Sequence, residues 1–142
     1  MAYLKILMLL LSSMDPGRQE LIIPRKNSVG AYFGFFEGNI NYERNMYVFS
    51  KSYINVRTGW GQWNNLQSEA DVYNLTAVWI IGKKLSHLEL NAGAKYLAGP
   101  GKNRVYPDMF LGYRLEKPDS RLYGRAGVSG LSVVNIGAGI KF

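Results

Sequence analysis

From residue 28 to the C-terminus the chain alternates apolar and polar residues in short runs separated by turn-forming clusters. The run over residues 133–142 is the cleanest. Val134, Ile136, Ala138, Ile140 and Phe142 alternate with Asn135, Gly137, Gly139 and Lys141. Successive side chains of a strand point to opposite faces, so one face here is greasy and the other small or polar. The same reading predicts eight strands, over residues 28–35, 38–44, 51–61, 70–81, 86–97, 105–116, 121–128 and 133–142. Turns are expected at Phe36-Glu37, Met46–Phe49, Asn64-Asn65, Gly82-Lys83-Lys84, Gly99-Pro100-Gly101 and Lys117-Pro118-Asp119-Ser120. Past the leader no segment sustains a 3.6-residue apolar period, so no helix is placed there.

Sorting each run by parity gives the faces. In the fifth strand Leu88, Leu90, Ala92, Ala94 and Tyr96 oppose His87, Glu89, Asn91, Gly93 and Lys95. In the fourth, Tyr73, Leu75, Ala77, Trp79 and Ile81 oppose Asn74 and Thr76; in the sixth, Met109, Leu111, Tyr113 and Leu115 oppose Asp108, Gly112, Arg114 and Glu116. The polar side collects Glu43, Arg57, Glu89, Lys95, Asp108, Arg114, Glu116, Arg125 and Lys141, charges of both signs on one face. An unpaired charge in a dry core costs several kcal/mol, so this set demands a polar interior where acids meet bases. The fold expected is all-β: a closed, eight-stranded, antiparallel up-and-down transmembrane barrel with a greasy outside and a polar lumen. Eight strands enclose little more than their own side chains, and Tyr32, Phe110 and Tyr123 should help plug the bore. Pro107 is awkward in the sixth strand and is expected at its outer rim, with pairing beginning after it.

Composition agrees. In 142 residues there are 10 Tyr, 3 Trp, 16 Gly and no Cys. The first three favour β-structure and interfacial aromatics; the last excludes disulfides, thiolate metal sites and a cysteine nucleophile. The formal net charge is +7. Lys5 followed by the apolar run 6–11 has the layout of a secretory signal peptide, so residues 1–20 are read as a leader and 27–142 as the barrel domain. With both barrel ends on the periplasmic side, the connections near residues 36–37, 62–69, 98–104 and 129–132 face outward and are short. Trp60, Tyr73, Trp79, Tyr96 and Tyr113 are expected to face the membrane, where interfacial girdles are built.

Several ordered motifs carry a resemblance: Asn41-Tyr42-Glu43-Arg44, Gly82-Lys83-Lys84 before His87-Leu88-Glu89-Leu90, Gly112-Tyr113-Arg114, and Arg125-Ala126-Gly127-Val128. In this order they resemble small outer-membrane β-barrel proteins common in Bacteroidetes, over about residues 28–142. That resemblance implies an uncharacterised eight-stranded barrel in the cell outer membrane with no catalytic residues to carry over. Phe142 resembles the terminal aromatic read by the barrel-assembly machinery. The leader departs from the pattern, having no clean small-x-small cleavage motif.

His87 is the lone histidine, and with Ser86 and Glu89 it invites a lipid-hydrolase reading. On a strand, however, Ser86 points away from His87, and catalysis needs both groups within hydrogen-bond reach. No catalytic residue, cofactor or metal site is therefore expected. Gly99-Pro100-Gly101 with Lys102 lacks the Gly-Lys-Ser/Thr ending of a phosphate loop. Lys102 and Arg104, in an outward loop, could meet glycolipid phosphates, although a solvated loop charge is commoner. Nucleic acid is not an expected partner, because the basic residues alternate with apolar ones and are partly matched by acids. Expected partners are outer-membrane lipid and, during biogenesis, the assembly machinery; an unidentified envelope protein stays open. Beside this structural or interaction role stand two alternatives: a soluble lipocalin-like barrel carrying an apolar ligand, and an outer-membrane lipid hydrolase using His87.

Overall fold

In the computed structural model the described residues are 25–65, 68–83, 85–101, 103–117, 119–130 and 133–142, with the side chain of Lys83 excepted. The expected leader, Lys84, Lys102 and Pro118 lie outside them. Eight strands follow in order: β1 (Asn27–Gly34), β2 (Glu37–Val48), β3 (Ser52–Asn65), β4 (Ser68–Lys83), β5 (Ser86–Ala98), β6 (Arg104–Glu116), β7 (Leu122–Ser129) and β8 (Val133–Lys141). Each pairs antiparallel with its sequence neighbours, and β1 pairs with β8 from Ser28↔Lys141 to Gly34↔Asn135. The sheet is closed. The ring of ladders has no open seam between its first and last strands, which is how a sheet survives where water cannot satisfy its backbone.

The strands outrun their sequence-based bounds where the two faces no longer differ in polarity, apolar on both at Met46–Val48 and polar on both at Asn64-Asn65. Asn64-Asn65, expected as a turn, ends β3: Asn64 pairs with Glu69 and Asn65 with Ser68, so the ladder closes over two residues. The expected outward loop 62–69 is thus mostly hairpin. At the other end, the expected turn 46–49 is entered late, because β2 runs on to Val48 through a bulge between Asn45 and Tyr47. An apolar-polar pattern marks only the part of a strand that faces two different media, whereas backbone pairing continues beyond it.

Pro107 is also placed differently. β6 pairs with β5 on both sides of it, Ala94 lying opposite Pro107. Ladder pairing with β7 starts only at Phe110, so on that side no rung is lost to the missing N–H. The terminal strand ends at Lys141, and Phe142 exchanges two backbone hydrogen bonds with Asn27, at 2.8 and 3.0 Å. The two barrel termini, the start of β1 and the end of β8, therefore meet at the end of the barrel that carries the β2–β3, β4–β5 and β6–β7 turns.

Candidate functional site in the barrel lumen

The nine charged residues collected by parity all lie on the inner face, each at most 8% exposed. A tenth joins them. Glu37, expected in a turn, opens β2 with its side chain buried. Continuing the parity of Asn39, Asn41 and Glu43 back by one step would have found it. Inside, Glu37, Glu43, Glu89, Asp108 and Glu116 now balance Arg57, Lys95, Arg114, Arg125 and Lys141.

Glu43 of β2 is the hub. Its carboxylate accepts from Arg57 Nε at 2.8 Å and Nη2 at 2.5 Å, Arg114 Nη1 at 2.8 Å, Asn55 Nδ2 at 3.0 Å and the Tyr32 hydroxyl at 2.8 Å. Arg57 also reaches Glu89 at 2.8 Å, and Arg125 Nη1 comes within 3.2 Å of the same carboxylate. Arg114 donates from Nε to Glu116 at 2.9 Å, which Lys141 approaches at 3.2 Å and the Tyr53 hydroxyl at 3.0 Å. Hydrogen bonds between ionised groups of this kind are among the stronger ones a protein makes.

Rings fill the spaces between the guanidinium groups. Arg114 stacks 3.8 Å from the Tyr123 centroid, and Arg125 lies 3.7 Å from Phe110 and 4.3 Å from Tyr32. These rings explain the small residues on the inner face of β8. A Cβ at Gly137 would overlap the Tyr32 ring, and one at Gly139 would overlap Tyr123. The Tyr32 and Tyr123 hydroxyls meet at 2.8 Å across the bore.

Toward the opposite end the lining changes to amides. Lys95 pairs with Glu37 at 2.6 Å and lies 3.5 Å from Asp108, while Thr76 donates to Asp108 at 2.5 Å. Around them stand Asn39, Asn41, Asn74, Asn91 and Asn135, enclosing about 20 Å³ of free space. That is room for about one water, so this section of the bore is filled rather than open. β4 adds an apolar sector inside, with Val72, Val78 and Ile80 fully buried, a feature the sequence reading did not single out.

On the outer face Trp60, Tyr73, Tyr96 and Tyr113 are exposed, and Trp79 points the same way but is half-buried among its neighbours. Phe142 is exposed at the end of β8. Ser86 is exposed and His87 buried, on opposite sides of the wall. Among the described residues no group of three or more His, Asp or Glu side chains converges to hold a metal.

No family model and no curated protein sequence matches the chain. Among solved structures it is similar to the N-terminal β-barrel domain of OprF from Pseudomonas aeruginosa. The superposition has a TM-score of 0.60 at 10% identity and covers 84% of this chain and 99% of that domain. The shared feature is the fold: a closed, eight-stranded, antiparallel β-barrel.

Proposed function

We propose that this chain is a small integral β-barrel of the outer membrane, with a structural or interaction role and no catalytic one. One observation carries the reading, the inverted polarity of the wall. Glu89 is 0% and Arg114 1% exposed, whereas Leu75, Met109, Leu111 and Tyr113 are 50–63% exposed on the outside. Water would penalise that exterior, and an acyl environment would reward it. The likeness to the OprF barrel domain supports the same architecture for this use. The motif resemblance extends it, as a proposal, to the small outer-membrane barrels of Bacteroidetes.

The competing readings have less support. A carrier of apolar ligands needs an apolar cavity, but the free space in this bore is small and lined by amides and charges. A hydrolase needs a nucleophile beside His87, and Ser86 faces the other side of the wall. In the proposed role Phe142 serves as the assembly signal, Trp60, Tyr73, Trp79, Tyr96 and Tyr113 contact lipid, and the lumen charges tie the wall together.

Fractionation tests the proposal. The protein is expected in the detergent-extracted envelope, with heat-modifiable migration in gels and no stable conductance in planar bilayers. Full solubility without detergent would overturn membrane residence; large, long-lived channels would overturn the filled bore.

A further inference from the structure

The net charge of +7 is unevenly placed. Among the described side chains the lumen is neutral, so their surplus belongs to the periphery. Among the described side chains outside the lumen, the end where β1 begins and β8 finishes holds Arg25, Lys26, Arg44, Lys51, Lys117 and Arg121 against Asp119. The opposite end holds Arg104 against Glu69 and Asp71. Among the described side chains the first rim is strongly cationic and the second is not.

The cationic rim also carries a greasy projection. β1 ends its ladder with β2 at Asn27↔Arg44, but β2 continues past it to Val48. Beyond the bulge, Met46 is 50%, Tyr47 64%, Val48 39% and Phe49 52% exposed. Four consecutive apolar residues thus stand in the open, with Arg44 before them and Lys51 after them. Arg44 follows the inward Glu43 and so lies on the outer face, not over the lumen mouth. Its long stem can lie on the apolar wall while the guanidinium reaches the headgroup level.

We propose that this rim is a binding surface for anionic phospholipid headgroups. Met46, Tyr47 and Phe49 enter the boundary of the acyl region, and the surrounding cations hold the phosphodiesters of that leaflet. The inference rests on the membrane reading given above. Lipid fits better than a soluble polyanion because Arg44 and the projecting hairpin sit where acyl chains adjoin the wall. Guanidinium groups match phosphate oxygens two at a time, and several cations close together raise the local concentration of anionic lipid.

The test uses the full chain reconstituted in phosphatidylcholine bilayers containing phosphatidylglycerol, with spin-labelled versions of each lipid. The barrel is expected to retain phosphatidylglycerol about threefold over phosphatidylcholine at low salt. In about 1 M salt, where the screening length falls to about 3 Å, the preference should approach parity. The variant K26Q/R44Q/K117Q/R121Q should lose the preference while keeping heat-modifiable migration, and R104Q should keep it. Inorganic phosphate should displace no more lipid than chloride at matched ionic strength. The proposal fails if the fourfold variant retains the wild-type preference, if R104Q loses as much, or if phosphate displaces the lipid selectively. A barrel that never enters the bilayer fails the membrane reading itself, and protease accessibility of the whole chain would identify that case.

Discussion

The two halves of the lumen solve the same packing problem with different chemistry. Near the barrel termini every described lumen carboxylate meets at least two cations: Glu43 has Arg57 and Arg114, Glu89 has Arg57 and Arg125, and Glu116 has Arg114 and Lys141. At the opposite end Lys95 serves both Glu37 and Asp108, and asparagines fill most of the remaining lining. Arginine reaches across the bore. Arg114 on β6 meets Glu43 on β2, and Arg57 on β3 meets Glu89 on β5. Asparagine is too short to do this and completes the lining locally. The termini half is therefore cross-linked wall to wall, and the other half is filled. Buried pairs are poor evidence of net stability, since apolar substitutes of equal volume often do as well. Their removal one partner at a time is another matter.

Glu43→Gln should give the largest effect, because Arg57 and Arg114 both lose charge compensation in a site that is 1% exposed. A loss of about 3 kcal/mol is expected in urea unfolding of the detergent- or vesicle-folded barrel. Lys95→Met should cost less, about 1–2 kcal/mol, since Asn39 and Thr76 still donate to the two carboxylates left behind. If Lys95→Met proved the costlier of the two, the contrast between the halves would be wrong. Asn91→Ala should be the mildest, within about 1 kcal/mol in the same assay, because its buried amide oxygen accepts no hydrogen bond from the described residues. A larger loss there would show that the amide half is held together more tightly than its contacts suggest.

How far the sequence could be read depended on where each residue sat. Mid-strand parity put Glu89, Lys95, Arg114 and Arg125 on one face without ambiguity, because each lies between apolar neighbours whose direction is clear. Glu37 escaped because a residue beside Phe35-Phe36 looks like turn and loses its parity. Inner Val78 and Ile80 of β4 escaped because both faces of residues 77–81 are apolar, so alternation carries no signal there. The long β2–β3 and β3–β4 hairpins escaped for a related reason: at Met46–Val48 both faces are apolar and at Asn64-Asn65 both are polar, so side-chain pattern does not record the pairing that continues there.

Alternation along the chain by itself determined which side chains share a surface, and with that the strand number, the polar bore and the apolar skin, since period two is a local property of extended backbone. Pairing across the bore was decided only by closure of the sheet. Arg114 and Glu43 are 71 residues apart, and the stagger with which β1 meets β8 brings them within 2.8 Å. No local rule carries that stagger, because it is the sum of every register around the ring.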